Sequence, residues 1–188
     1  MILTLPHNEK KLFLHVCCAP CSGRIIERVL DSSLSLTVFF YNPNISPETE
    51  YLLRKKEVVR FCKKKDVSFI DGDYNHNDWI AQTKGLEAEP EKGKRCDVCF
   101  FMRLKKTAQI ALKNHFNIFA TSLSISRWKD MEQVHRAGQR AAQKTPGTLF
   151  WDFNWRKDTG EEQGREISKR ENFYQQTYCG CEYSSKKC

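Results

Sequence analysis

Apolar and polar positions change period several times along the chain, and the changes mark alternating strands and helices. Lys11 to Val16 is a short apolar run and reads as a buried first strand. Gly23 to Leu30 follows with Ile25, Ile26, Val29 and Leu30 at helical spacing, Ser22 in the N-cap position and Asp31-Ser32-Ser33 as the stop. Leu34 to Tyr41 (LSLTVFFY) is a second buried strand, closed by the loop Asn42-Pro43-Asn44-Ile45. Ser46-Pro47 then reads as N-cap and first-turn proline of a helix to about Lys65, with Glu48 and Glu50 near its positive dipole end. Tyr51, Leu52, Val58, Val59 and Cys62 form its apolar stripe, which makes Cys62 a core thiol.

Val67 to Ile70 is a short third strand ending at Asp71-Gly72-Asp73. Tyr74 to Arg95 reads as polar and irregular, anchored by Trp79 and Ile80. Cys96 to Phe116 is an amphipathic helix with Phe101, Leu104, Ala108, Ala111 and His115 on one face. Asn117 to Ser122 is a fourth strand and Leu123 to Asp130 a polar loop. Met131 to Lys144 is helical, with Met131, Val134, Ala137 and Ala141 in register. Leu149 to Trp155 is a fifth strand and Glu161 to Tyr178 a last helix.

This alternation predicts one α/β domain over residues 1–188, a mostly parallel, doubly wound sheet covered on both faces. Such sheets bind ligands at the C-terminal ends of their strands, beside the topological switch point. Three loops fall at such ends: Cys17–Cys21, Tyr41–Ile45 and Leu123–Asp130.

Composition narrows the class. No apolar run reaches the roughly 18–20 residues of a membrane span, and Met1 to His7 carries no basic segment before a long apolar one, so a cytoplasmic location is expected. Lysine and arginine number 31 against 23 acidic residues, a net charge of +8. That permits a polyanion such as RNA, although solubility alone accounts for it equally well. Neither G-x-x-x-x-G-K-[ST] nor G-x-G-x-x-G occurs, so a nucleoside triphosphate or dinucleotide cofactor has no support.

The nine cysteines carry the chemistry. An odd number in a chain with no secretory signal points to metal or catalytic thiols rather than a disulfide framework. Cys17, Cys18 and Cys21 follow the first strand, and Cys96 and Cys99 stand at i and i+3 where a helix N-terminus favours thiolate. Four thiolates close a zinc site or a [4Fe–4S] cluster. Adjacent side chains of a strand point to opposite faces, so Cys17 and Cys18 share a centre only if Ala19-Pro20 has broken the strand. Spacing leaves open which two of the three complete the set. Cys179-Gly180-Cys181 closes only a tight, strained disulfide ring and suits a redox-active dithiol, with a pair of metal ligands as the alternative. Cys188 is set aside as a terminal residue. Asp97, Asp130 and Asp152 are candidate proton donors or hard ligands, and Leu123 to Asp130, with Arg127, Trp128 and Lys129, can stack a base and grip phosphate, an ordinary polar loop anchored by Trp128 being the alternative.

His15-Val16-Cys17-Cys18-Ala19-Pro20-Cys21-Ser22, Tyr41 to Ile45, Arg95 to Phe100 with Arg103-Leu104, Ala120 to Leu123, Asn172-Phe173-Tyr174 and Tyr178 to Cys181 together resemble the epoxyqueuosine reductases of the QueH type, in the family's order and over nearly the whole chain. The resemblance implies an adenine-nucleotide α-hydrolase-like (HUP-like) fold without its nucleotide loop. It implies a [4Fe–4S] cluster held by Cys17, Cys18, Cys96 and Cys99, a redox pair in Cys179 and Cys181, and a second, mononuclear iron for which Cys21, Asp97 and Asp130 are candidate ligands. The implied reaction is reduction of epoxyqueuosine to queuosine at the wobble position of tRNA, with an external electron donor. Two other classes fit the cysteines: a structural zinc protein that binds RNA, and a metal-free thiol–disulfide oxidoreductase.

Overall fold

The computed structural model describes residues 2–157 and 160–184, and of 160 and 161 the backbone alone; Cys188 lies outside the described residues. Its strands are β1 (Lys11–His15), β2 (Ser35–Phe40), β3 (Ser68–Asp71), β4 (Ile118–Thr121) and β5 (Leu149–Phe150). All pair in parallel in one sheet of order β3-β2-β1-β4-β5. The first three strands run outward in one direction, and the chain then returns to lay β4 on the other side of β1. The switch point therefore lies between β1 and β4, where Phe13 stands opposite Phe119 and His15 opposite Thr121.

The helices are α1 (Ala19–Leu30), α2 (Glu48–Lys64), α3 (His76–Thr83), α4 (Lys94–Lys113), α5 (Met131–Gln143) and α6 (Gly160–Arg170). Alternation along β1 divides the core between two faces. Leu12 and Leu14 pack in the cluster that holds Ile25, Ile26, Val58, Phe61 and Ile167 of α1, α2 and α6. Phe13 packs in the cluster that holds Trp79, Leu104, Ala108 and Val134 of α3, α4 and α5. Each such Leu or Phe contributes roughly 1.5–3 kcal/mol by leaving water. This is the expected doubly wound sheet.

Several boundaries differ from the expectations. Helix α1 begins at Ala19 with Cys18 as N-cap, so Ser22 lies inside it, donating to the Cys18 carbonyl at 2.9 Å. Pro20 in the first turn needs no N–H partner and permits the early start. Pro47, not Ser46, stands at the α2 N-cap. The α2 stripe rotates to Tyr51, Arg54, Val58, Phe61 and Cys62, leaving Leu52 and Val59 exposed. Residues 74–95 contain α3, capped by the Asn75 side chain, which accepts from the Asp78 N–H. His115 is exposed, at φ 62° just past the α4 end. Strand β5 stops at Phe150 because Trp151, Phe153 and Trp155 curl into an aromatic cluster with centroids 4.6–5.4 Å apart. Helix α6 ends at Arg170, and Asn172, at φ 49°, turns the chain into an irregular tail that reaches back to the strand ends.

Candidate active site

The β1 strand has ended before the cysteine loop begins, which frees Cys17 and Cys18 from strand alternation: their sulfurs lie 3.7 Å apart. With Cys21 in the first turn of α1, all three sulfurs fall within 4.8 Å of one another. Cys17 is tied across the switch point, its N–H donating to Ser122 Oγ at 3.2 Å while that hydroxyl approaches the Cys17 sulfur at 3.5 Å. The Cys18 and Cys21 thiols, donating to the Cys17 sulfur, hold Cys17 well below the ordinary thiol range, and the Lys129 and Arg103 cations add to this. That same hydrogen bond pushes Cys18 up to about 12.

Beneath it, His15 locks three strand ends together. Its Nε2 faces the Tyr41 carbonyl at 3.1 Å and must donate; Nδ1 therefore accepts from Thr121 Oγ1 at 2.8 Å. Burial, then the Arg103 charge, depress His15 to about 3, so the ring is neutral.

Cys96 and Cys99 enter from α4 and Cys181 from the tail. Cys17, Cys18, Cys99 and Cys181 belong to one core cluster, with Cys21 and Cys96 packed against it. The expectation of thiolate at the α4 N-terminus is not met: burial raises Cys96 to about 11 and also raises Cys99. Burial likewise raises Cys181 to about 12. Arg103, 2% exposed, donates through Nη2 to Asn42 Oδ1, reaches Cys99 Sγ with Nη1 at 4.0 Å, and Asn42 in turn donates to the Val16 carbonyl at 2.9 Å.

The tail is held by Arg54 of α2. Its Nη1 and Nη2 donate to the Cys179 and Tyr178 carbonyls at 3.1 and 3.0 Å, and its Nε pairs with Glu50 at 2.7 Å. The Ser46 N–H donates to the Gly180 carbonyl at 2.9 Å. Gly180 has φ +103°, and a Cβ there would meet Ile45 Cγ1 at 2.9 Å. Glycine between the two cysteines is thus a geometric requirement of this turn.

A cleft of about 670 Å³ opens over the triad and Cys179. Among the described residues its lining holds six cations, Arg54, Arg103, Arg127, Lys129, Arg165 and Lys169, and no carboxylate. Against the desolvation that opposes its charge, the Cys179, Cys17 and Cys21 sulfurs hold the Lys129 ammonium above its ordinary range. Trp128, 48% exposed, stands at the rim with the Arg127 guanidinium 4.9 Å from its ring centroid.

The candidate carboxylates are otherwise engaged or distant. Asp130 caps α5, accepting from the Gln133 N–H at 3.2 Å; Asp152 pairs with His135 at 2.7 Å; Asp97 is exposed on α4. Cys62 is 1% exposed in the opposite core cluster, and its burial raises it to about 12, as expected of a core thiol. Arg54 and Gln176, whose Nε2 donates to Cys18 Sγ at 3.0 Å, had no assigned part in the sequence reading. The available signal for Arg54 was an arginine at a core position of the α2 stripe, which demands buried partners.

The family model of epoxyqueuosine reductase QueH matches residues 12–187. The chain belongs to this family. Epoxyqueuosine reductase QueH of Haemophilus influenzae is 53% identical over 182 residues, covering 97% of this chain and 74% of that one. The Acinetobacter baylyi QueH is 54% identical over 182 residues, covering 97% and 84%. The Thermotoga maritima QueH is 33% identical over 176 residues, covering 92% and 89%. Among solved structures, the U34-tRNA thiolase NcsA of Methanococcus maripaludis with its [4Fe–4S] cluster superposes with a TM-score of 0.59 at 11% identity, covering 94% of this chain and 61% of that one. This likeness shows the HUP-like fold, which this chain carries without a glycine-rich nucleotide loop after β1.

The residues of the candidate site fit an iron–sulfur centre. The converging donors are thiols alone, the soft ligands such centres take. The 3.7 Å between the Cys17 and Cys18 sulfurs is the spacing of two thiolates on one tetrahedral metal, ~3.8 Å for bonds of about 2.3 Å, so the two must part to serve separate irons of a [4Fe–4S] cluster. Arg103 and Lys129 supply positive charge beside a donor set that metal binding would make anionic.

Proposed function

We propose that this protein reduces epoxyqueuosine to queuosine at the wobble position of tRNA, residues 1–188 acting as one catalytic domain. The observation that carries the proposal is the meeting of three cysteine segments in one core cluster beneath a cleft lined by cations. Cys17, Cys18, Cys96 and Cys99 would hold a [4Fe–4S] cluster, and Cys21, within 4.8 Å of two of them, offers a thiol to a second iron. An iron–sulfur centre supplies electrons one at a time.

The chain's own residues do the rest. The cationic rim takes the anticodon phosphates, and the modified base turns into the cleft. Cys179 and Cys181 are the redox pair. Their two thiols give two electrons and two protons, the epoxide oxygen leaves as water, an alkene remains, and a disulfide forms; an external donor then restores the dithiol. Arg54 fixes the Cys179 carbonyl, and Tyr178 OH donates to the Ser46 carbonyl at 2.6 Å, so Cys179 lines the cleft on a held backbone while Cys181 lines the smaller adjoining cavity. Lys129 lines both this cleft and the smaller cavity that holds Cys96 and Cys181, and its charge favours thiolate at Cys17.

The test is protein purified without oxygen, assayed for iron, acid-labile sulfide and turnover of tRNA carrying epoxyqueuosine. Cys96→Ala is expected to lose the cluster and to slow turnover by at least a hundredfold, the scale of removing a metal ligand or its support. Wild-type turnover in Cys96→Ala would sink the ligand assignment. Zinc without sulfide in the native protein would replace the reductase with a structural zinc protein.

A further inference from the structure

Trp79 sits in α3, and none of the chemistry above uses it. Its side chain is completely buried. Its ring is fixed on both sides, stacked on His76 at 5.5 Å and 17° and on Tyr183 at 5.8 Å and 25°. Yet its indole N–H has no hydrogen-bond partner among the described residues. A buried donor left in this state is unfavourable and calls for an acceptor. Trp79 shares a core cluster with Cys99, Cys17 and Cys18, and lies near enough to Cys99 to favour its thiolate. Arg103 approaches the same sulfur, its Nη1 at 4.0 Å, and its Nε is a second buried donor with no partner. Two buried N–H donors thus lie beside one sulfur. A neutral thiol is a weak acceptor for them; a metal-bound thiolate is a strong one.

We infer that Trp79 and Arg103 form an N–H···S pair on Cys99 that sets the reduction potential of the centre, Trp79 acting as a positioning residue through that sulfur. The inference rests on Cys99 being a ligand. Donors to a ligand sulfur draw electron density from it and favour the reduced, more negative form, so they raise the potential. Trp79 is the sharper case, because Arg103 also carries the link to Asn42. Phenylalanine at position 79 keeps an aromatic ring between His76 and Tyr183 and removes only the donor.

The experiment is an EPR-monitored redox titration of the anaerobic holoprotein, wild type against Trp79→Phe, with iron and sulfide measured on both. Trp79→Phe is expected to keep its iron and sulfide and to shift the potential negative. A tenfold change in the reduction equilibrium reads as about 59 mV for a one-electron couple. A purely structural Trp79 leaves the potential where it was, and that outcome overturns the inference. Cys99→Ala separates the two ideas. If it retains wild-type iron and sulfide, the ligand reading fails and this inference with it. If it loses them while Trp79→Phe leaves the potential unmoved, only the inference fails. Should Trp79→Phe lose its iron, wild-type protein labelled at the tryptophan indole nitrogen decides. Electron–nuclear coupling to the reduced centre that persists in labelled Trp128→Phe supports the donor, and its absence overturns it.

Discussion

At residue scale, the site depends on a few side chains whose surroundings leave one choice. Gly180 is the clearest. Its φ of +103° suits glycine alone, and a Cβ there would press on Ile45 and Arg54. Gly180→Ala is expected to destabilise the protein by about 1–2 kcal/mol, the cost of a left-handed L-residue, and to slow turnover while leaving iron content unchanged. Urea titration with an iron assay checks both, and an unchanged turnover would mean that the tail turn has no part in the chemistry. The cysteines themselves were legible: three segments rich in thiols forecast a shared centre, and they meet in one cluster. Their protonation was not legible. A helix N-terminus promised low-pKa thiols at Cys96 and Cys99, but their burial outweighs it, and the low-pKa thiol is Cys17, where two neighbouring thiols donate.

At the scale of elements, helix ends are fastened by charge. Glu171, just past α6, pairs with Lys64 of α2 at 2.7 Å and with Arg170 at 3.1 Å, and its carbonyl accepts from Arg60 at 2.8 Å. The Lys64 bond, then Arg170, lower its pKa below the ordinary 4.5 of a glutamate. The folded value lies below the unfolded one, so the stability this group contributes is full above pH 4.5 and is lost as pH falls through the depressed folded value. Glu171→Gln is expected to lower the urea midpoint at pH 7 and to converge on wild type in strong acid. A gap that persists at low pH would refute the ion-pair account. The strands and the long helices α2, α4 and α5 were legible from periodicity. Helix α3 was not, because a short helix buried chiefly through Trp79 and Thr83 shows too little repeat to read. The irregular tail was misread as helix because its aromatic and polar spacing imitates one, while Asn172 and the Arg54 bonds to its carbonyls bend it away.

At the scale of the whole molecule, the order β3-β2-β1-β4-β5 places the cysteine loop of β1 beside Ser122 after β4, at the one gap where two crossovers diverge. The predicted fold class therefore also predicted the location of the site. The net charge of +8 is not spread evenly, since the cleft lining gathers six cations. Arg165 and Lys169, one turn apart on α6, stand at its mouth and are exposed. Replacing either by alanine is expected to weaken tRNA binding regardless of tRNA sequence and to reduce the slope of log affinity against log salt by about 0.7–1. Binding isotherms at several salt concentrations check this, with iron content as the control. An unchanged slope would move the phosphate contacts to another face.

The tail that carries Cys179 and Cys181 also has a place in time. A ribosome delivers the β1 loop first, α4 next and residues 172–184 after both, and domains fold as the chain emerges. The thiols proposed to take up iron are therefore synthesised before the dithiol that packs beside them. The Arg54 bonds to the Tyr178 and Cys179 carbonyls hold that late segment in place. The segment made last is thus bound across the segment made first, and the site is complete only when both ends of the chain are present.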